Sequence, residues 1–208
     1  MSDDLNSVKT SEAERSYHHG DLRAALLVAA ESVIAERGID GFSLRETARR
    51  AGVSPAAPAH HFGDTKGLLT ALATEAFRRF GDALEAADVG RDRAERIRSQ
   101  GIAYVRFALA EPAKFDLMWR YALTNRDDPD YRKASSRAFA ILDQVVRGKA
   151  AAARPPKDDL EVASSIACWS IVHGFARLAL DGVFGTGPGE AEAAAQALLP
   201  AVLDHLEI

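Results

Sequence analysis

Between Ser43 and Phe80 the chain carries start and stop signals for three helices with almost no room between them. Ser43-Leu44-Arg45-Glu46 has the order of a capping box, a hydroxyl residue followed three positions later by glutamate. It predicts a helix over about 44–50 that ends at Gly52. Ser54-Pro55 then opens another helix with a cap and a proline at its first position, where a missing N–H costs nothing. Pro58 lacks the N–H that would reach the capping carbonyl, so the spacing predicts a short helix with a 3₁₀-like first turn. Phe62 and Gly63 close it. Asp64 caps a longer helix over about 65–86, whose Leu68, Leu69, Leu72, Ala76, Phe77 and Phe80 form one apolar stripe. Two helices joined by Ala51-Gly52-Val53 follow helix–turn–helix grammar, with a glycine in the turn and a valine to pin it. The short helix must be held by its neighbours, and Ala48, Val53, Phe62, Leu68 and Leu69 are the expected clamps. Truncating Phe62 should cost about 3–5 kcal/mol if that ring is fully buried.

The rest of the chain keeps the same period. Asp21 reads as the N-cap of a helix whose Leu22, Leu26, Ala29, Val33 and Ile34 share a face until Gly38. Further helices are expected over about 91–109, 112–122, 131–153, 159–181 and 190–206, separated by Glu111-Pro112, NRDDPD, ARPPKDD and GVFGTGPG. Nothing reads as a strand. The expected fold class is all-α with about nine helices. Residues 1–16 would form a disordered or variable arm, 17–86 a helix-turn-helix domain, and 87–208 a second helical domain.

Several function classes are disfavoured. No stretch of 18 residues reads as uncharged and apolar enough for a membrane span, and the polar start MSDDLNSVKTSEAERS has no signal-peptide core. The expected location is the cytoplasm. A single cysteine, Cys168, sits in the apolar run SIACWSIV and suits a buried, inert thiol. The six histidines form no HExxH arrangement, and the adjacent pairs should diverge on a helix. There is no GxxxxGK[ST] loop or GxSxG elbow, and the glycines of GTGPG follow no expected strand. No cofactor, metal or catalytic set is expected, leaving an α-helical enzyme as a remote alternative. The net charge of −4 argues against a general polyanion surface, but residues 15–80 are net +2 between two acidic flanks. That excess permits local phosphate contacts without requiring them.

A short, small-faced helix held outward suits a major groove. Ala56 and Ala57 offer methyl groups to thymine, and His60 and His61 offer ring nitrogens to base edges or phosphates. Ser43 and Ser54 stand at helix starts whose free N–H groups can face phosphates, with Arg45, Arg49 and Lys66 close in sequence. The same trihelical unit could also be a packing module, and the residue pattern leaves both readings open.

The run FSLRETARRAGVSPAAPAHHFGDTKGLLTAL resembles the DNA-binding domain of the TetR family of bacterial transcriptional repressors, from about Tyr17 to Phe80. The resemblance implies a homodimer whose two recognition helices enter successive major grooves of double-stranded DNA. It matches Ser43 to a phosphate-touching hydroxyl, Arg45 to the same edge, Ser54, Ala56 and Ala57 to the start of the recognition helix, and His60 and His61 to its end. Ala59 stands where the family usually has tyrosine. Thr65 stands where it usually has lysine, with Lys66 one position on.

Downstream, CWSIVHGFARLAL and YVRFALAEPAKFDLMW resemble the C-terminal domain of a TetR branch with a Trp…His-Gly motif. A small, largely apolar effector is therefore expected against Tyr104, Phe107, Phe115, Met118, Trp119, Phe139, Trp169 and His173, although an aromatic stripe is also ordinary core. Gly174, mid-helix, either permits close helix contact or leaves space. Phe175, Leu178, Leu198, Leu199, Val202 and Leu206 are the expected dimer contacts. The overall expectation is a ligand-responsive repressor on a pseudo-palindromic operator. The alternative is a TetR-like protein with weakened DNA binding that acts through ligand or protein contacts.

Overall fold

A computed structural model of the chain describes residues 11–154, 157–187 and 189–205. It is all-α and divides into two compact units, Met1–Leu72 and Ala73–Ile208. The helices are α1 (Ser11–Arg37), α2 (Leu44–Arg50), α3 (Ala57–Phe62), α4 (Thr65–Ala86), α5 (Arg93–Ala110), α6 (Pro112–Trp119), α7 (Pro129–Val146), α8 (Lys149–Ala152), α9 (Ala163–Leu180) and α10 (Glu190–Asp204). Short 3₁₀ turns occupy Tyr121–Leu123 and Asp159–Val162. The unit boundary falls within α4.

In the first unit, α1 begins at Ser11, so Asp21 lies inside the helix and not at its cap. The upstream segment SEAERS is rich in good helix formers, which extends the helix past the expected start. The side chain of Asp21 lies outside the described residues. Leu26, Ala30, Val33 and Ile34 are buried along one face of α1. The helix ends at Gly38, whose φ of 70° supplies the left-handed turn and whose N–H donates to the Ile34 carbonyl.

Helix α2 is pinned to α1 by charge. Arg49 makes two 2.8 Å bonds to the Glu46 carboxylate, Arg50 adds one at 3.0 Å and Arg37 one at 3.2 Å. Arg50 also reaches Ser32 and Glu36 on α1, at 2.7 and 2.5 Å. Ser43 caps α2 only loosely, with Glu46 N–H 3.5 Å from its Oγ. The expected capping box is therefore half a box, because the Glu46 carboxylate turns to the arginines. Those hydrogen bonds from Arg49 and Arg50 hold the Glu46 carboxyl at about 2, down from 4.5.

The second unit wraps α9, the most apolar helix. α9 packs on α5, α7 and α10, and α5 packs in turn on α6, α7 and α10. Contrary to the expectation from composition, Leu160–Leu180 is long and apolar enough to cross a membrane by length and composition alone. In the fold, its inward Cys168, Val172, Phe175, Ala176 and Ala179 are buried against neighbouring helices. α7 starts at Pro129, earlier than expected, because Asp128 accepts from the N–H groups of Asp130 and Tyr131 at 3.0 Å. It stops at Gly148 (φ 85°), which separates off the four-residue α8. Between α7 and α9, Asp143 is 4% exposed and accepts 2.7 and 2.6 Å bonds from Arg147 and a 2.7 Å bond from Ser165.

Two glycines show opposite reasons for being glycine. A Cβ on Gly67 would lie 1.9 Å from the Phe62 carbonyl oxygen, a backbone atom at the α3–α4 corner. A Cβ on Gly174 would meet nothing within 4 Å, so of the two expectations for Gly174 the structure selects space, not close helix contact. Gly67→Ala should therefore cost roughly 2–4 kcal/mol, read as a chemical-denaturation midpoint, because the corner must open. Gly174→Ala in the same chain should gain up to about 1 kcal/mol from helix propensity. For Glu46, the depressed pKa means stability that is whole above about pH 4.5 and lost as pH falls toward 2. The gap in melting temperature between the wild type and Glu46→Gln should accordingly narrow over that window, as followed by circular dichroism.

Candidate nucleic-acid interface and helical cavity

The turn between α2 and α3 is built as the spacing requires. Gly52 takes φ 68°, and Val53 N–H returns to the Ala48 carbonyl at 3.0 Å. Thr47, fully buried, ties its hydroxyl to the Ser43 carbonyl at 3.0 Å. Ser54 does not cap α3 through its side chain. Its carbonyl accepts the Ala57 N–H at 3.0 Å, so residues 54–57 form a tight turn and Ala56 takes the N-cap position. The cause is Pro58, the buried residue of α3, which supplies no N–H to a wider turn.

With Pro58 turned inward, the outer side of the segment is Ser54, Pro55, Ala56, Ala59 and His60, all exposed. Ala57 and His61 are half-buried, and Arg45 and Lys66 are exposed at the starts of α2 and α4. Arg49, expected to add charge nearby, is held by Glu46 at 2.8 Å. The rings of His60 and His61 do not diverge; they meet edge to face with centroids 5.5 Å apart. Phe62 is only half-buried and carries the Arg23 guanidinium 5.2 Å above its ring. The condition for the larger truncation cost is not met, and about 2 kcal/mol is the fitting figure. Asp64 caps α4 firmly, accepting the Gly67 N–H at 2.7 Å. Ala59 is the outward residue that the site reading left out. Its helical offset from Ala56, three residues, carried that signal.

In the second unit, the expected effector residues separate into layers. Tyr104 donates to or accepts from His173 Nδ1 at 2.9 Å, and burial pushes the Tyr104 hydroxyl up and His173 down, so the pair is neutral. Rings of Phe115 and Trp119 lie 5.5 and 4.9 Å from the imidazole, and Trp169 lies 5.7 Å from Trp119. Tyr104 and Trp169 line a small cavity of about 20 Å³. Trp119, Phe139 and Trp169 line a wide, open cleft of about 830 Å³. Phe107, Phe115 and Met118 line neither of these two cavities and are buried. Gln100, which sequence reasoning passed over, is buried and faces the small cavity. Its signal was a polar residue in register with Ile97 and Tyr104 on the inward side of α5. Cys168 also lines that cavity, and burial raises its thiol to about 11, keeping it protonated.

Of the expected dimer residues, Leu178 and Leu198 are exposed and Val202 is half-buried. Phe175 and Leu199 are covered by their own chain, Phe175 stacking on Phe184 at 4.6 Å. Leu206 lies outside the described residues. Among the described residues, no group of three or more His, Cys, Asp or Glu side chains could hold a metal ion.

Comparison with known proteins places this geometry. Residues 26–72 match the model for bacterial regulatory proteins of the tetR family. Residues 97–202 match the tetracyclin repressor-like C-terminal domain. The HTH-type transcriptional repressor AcnR of Corynebacterium efficiens is 31% identical over 129 residues, 60% of this chain and 62% of that protein. The chain thus spans under two thirds of that relative's length. The HTH-type transcriptional regulator BetI of Brucella anthropi is 35% identical over 92 residues, 44% of this chain and 47% of its own. A solved protein of unknown function from Rhodococcus sp. RHA1 is 33% identical, with a TM-score of 0.73 over 92% of this chain and 98% of that one. Both domain models together account for the helix–turn–helix unit and for most of the helical unit that follows, and the chain belongs to the TetR family of bacterial regulatory proteins.

Proposed function

We propose that the chain is a ligand-responsive transcriptional repressor that binds a pseudo-palindromic operator as a homodimer. The observation that carries this is the outward side of α3 and the turn leading into it: Ser54, Ala56, Ala59 and His60 are exposed while Pro58 is buried behind them. Such a face is narrow enough to enter a major groove. Ser43, Arg45 and Lys66 are the proposed phosphate contacts that set register. Ala56, Ala57, His60 and His61 are the proposed base readers. The AcnR relative, a transcriptional repressor by name, supports the direction of control. Membership of a family of regulators leaves no place for the helical-enzyme reading. A cytoplasmic location follows from work on DNA.

The domain reading is a DNA-binding part over 17–86 and an effector and dimerisation part over 87–208, with 1–16 a variable arm. Within the family, Trp169, His173 and Gly174 support the branch with a Trp…His-Gly motif. The effector would meet the layer around Trp119, Phe139, Trp169, Tyr104 and His173, with Phe107, Phe115 and Met118 as backing. It must bind the DNA-competent and DNA-released forms unequally, since equal binding shifts nothing. Exposed Leu178 and Leu198, flanked by Val202, would meet a second copy, with Phe175 and Leu199 supporting them from beneath.

A second reading rests on Ala59 and Thr65. Both are exposed and short where the family usually reaches the DNA backbone, and this favours weakened DNA binding with ligand or protein contacts dominant.

Fluorescence anisotropy on the chain's own upstream DNA tests both readings. Binding should be sequence-selective and weaken steeply with salt, and Arg45→Ala should reduce the salt slope by about 1. His60→Ala should alter base preference and leave the slope alone. Binding without selectivity or salt dependence would remove the first reading, while a large gain from Ala59→Tyr and Thr65→Lys would favour the second. Light scattering should give a dimer for the wild type and half that mass for the double variant Leu178→Glu/Leu198→Glu.

A further inference from the structure

The small cavity of the second unit is lined by one buried carboxamide. Gln100 is 1% exposed, and both polar atoms of its carboxamide are buried without a hydrogen-bond partner among the described residues. Buried amides are nearly always satisfied, because an unpaired donor and acceptor forfeit their bonds to water. The surrounding wall is apolar: Phe80, Leu84, Leu142, Val172 and Leu203 line the same space. Its other polar groups are spoken for. The Tyr104 hydroxyl is engaged with His173, and Cys168 stays a neutral thiol. No Lys, Arg, Asp or Glu lines the cavity, so an ionised ligand would meet no countercharge there.

The free space is about 20 Å³, near the size of one water, so a larger guest needs a wall to move. Trp169 is the wall shared with the cleft. It is only half-buried, and it lines both the small cavity and the open cleft of about 830 Å³. Its ring stacks on Phe139 at 5.1 Å. Turning it outward would join the two spaces.

We infer that Gln100 is the polar anchor for a small, neutral, mostly apolar effector carrying an amide-type donor–acceptor pair, admitted from the cleft past Trp169. A carboxamide presents C=O and N–H side by side, so a lactam or primary amide can return both bonds at once. This rests on the ligand-responsive reading above and names the chemistry of its effector.

The test is calorimetric titration of the full-length protein with 2-pyrrolidinone and benzamide, beside toluene and benzoate, on the wild type, Gln100→Leu and Trp169→Phe. At least one amide should bind the wild type at least tenfold more tightly than toluene or benzoate, and lose that advantage in Gln100→Leu. Trp169→Phe, with a smaller gate, should speed amide association and keep the Gln100 preference. Gln100→Leu should melt at or above the wild-type temperature, since a leucine leaves no amide unpaired. Failure of both amides to bind, or equal binding by Gln100→Leu, overturns the anchor and leaves the cavity to trapped water. A melting temperature ten degrees lower in Gln100→Leu also overturns it, by giving the amide a structural role. Operator binding measured with and without amide keeps the two claims apart. Amide binding that needs Gln100 but leaves DNA affinity unchanged sinks the ligand-responsive reading alone. Release of DNA by other compounds in Gln100→Leu as in the wild type sinks the anchor alone.

Discussion

A helix of six residues cannot hold itself in water, and the outward face of the first unit hangs on that fact. α3 forms one full turn and a half, starts from a proline-limited turn and lacks a side-chain cap. Its shape comes from what grips it: Val53 bonded back to Ala48, Pro58 buried, Arg23 laid on Phe62, and the Phe62 carbonyl seated where Gly67 has no side chain. The grip is on the side away from exposed Ser54, Ala56, Ala59 and His60. Charge does the same work for α2, where one carboxylate gathers three arginines and ties the helix to α1. Arg45 and Lys66 are exposed on this unit and lie outside that cluster.

The second unit buries polar groups in two contrasting ways. Asp143 is surrounded by Arg147 and Ser165 with every bond short, so its charge is compensated at the place where α7 meets α9. A pair of that kind adds little net stability but is costly to break from one side. Gln100 has the same depth and none of the company. An uncompensated amide costs on the order of 1–3 kcal/mol, which an apolar residue of the same volume would save. The Asp143 carboxylate is thus satisfied where α7 meets α9, and the Gln100 amide is unsatisfied where it lines the small cavity.

Much of this was legible in the residues. Glycines, prolines and caps at Ser43, Gly52, Gly63 and Asp64 mark real helix ends, and the stripe from Leu68 to Phe80 is buried as its period demands. Two of the errors share a cause: each concerns which of several partners a side chain chooses. Glu46 could complete a capping box or collect arginines, and three guanidiniums outweigh one N–H. Ser54 could cap with its hydroxyl, but Pro58 sets the turn and the carbonyl bonds instead. Asp21 could start a helix, but the helical propensity of the segment before it carries α1 further upstream. Aromatic composition announced a ring cluster around His173 without saying which rings were wall and which were packing. That division depends on distances across α5, α6, α7 and α9, and local pattern does not encode them.

The chain has two tryptophans, and Trp119 and Trp169 stand 5.7 Å apart in the second unit, both at the cleft. The first unit therefore has no indole chromophore of its own. Ultraviolet emission excited at the red edge follows the helical cavity alone, while backbone ellipticity sums over both units. A native chain carries, in effect, its own optical label on one half, so the two halves can be watched separately without attaching a dye.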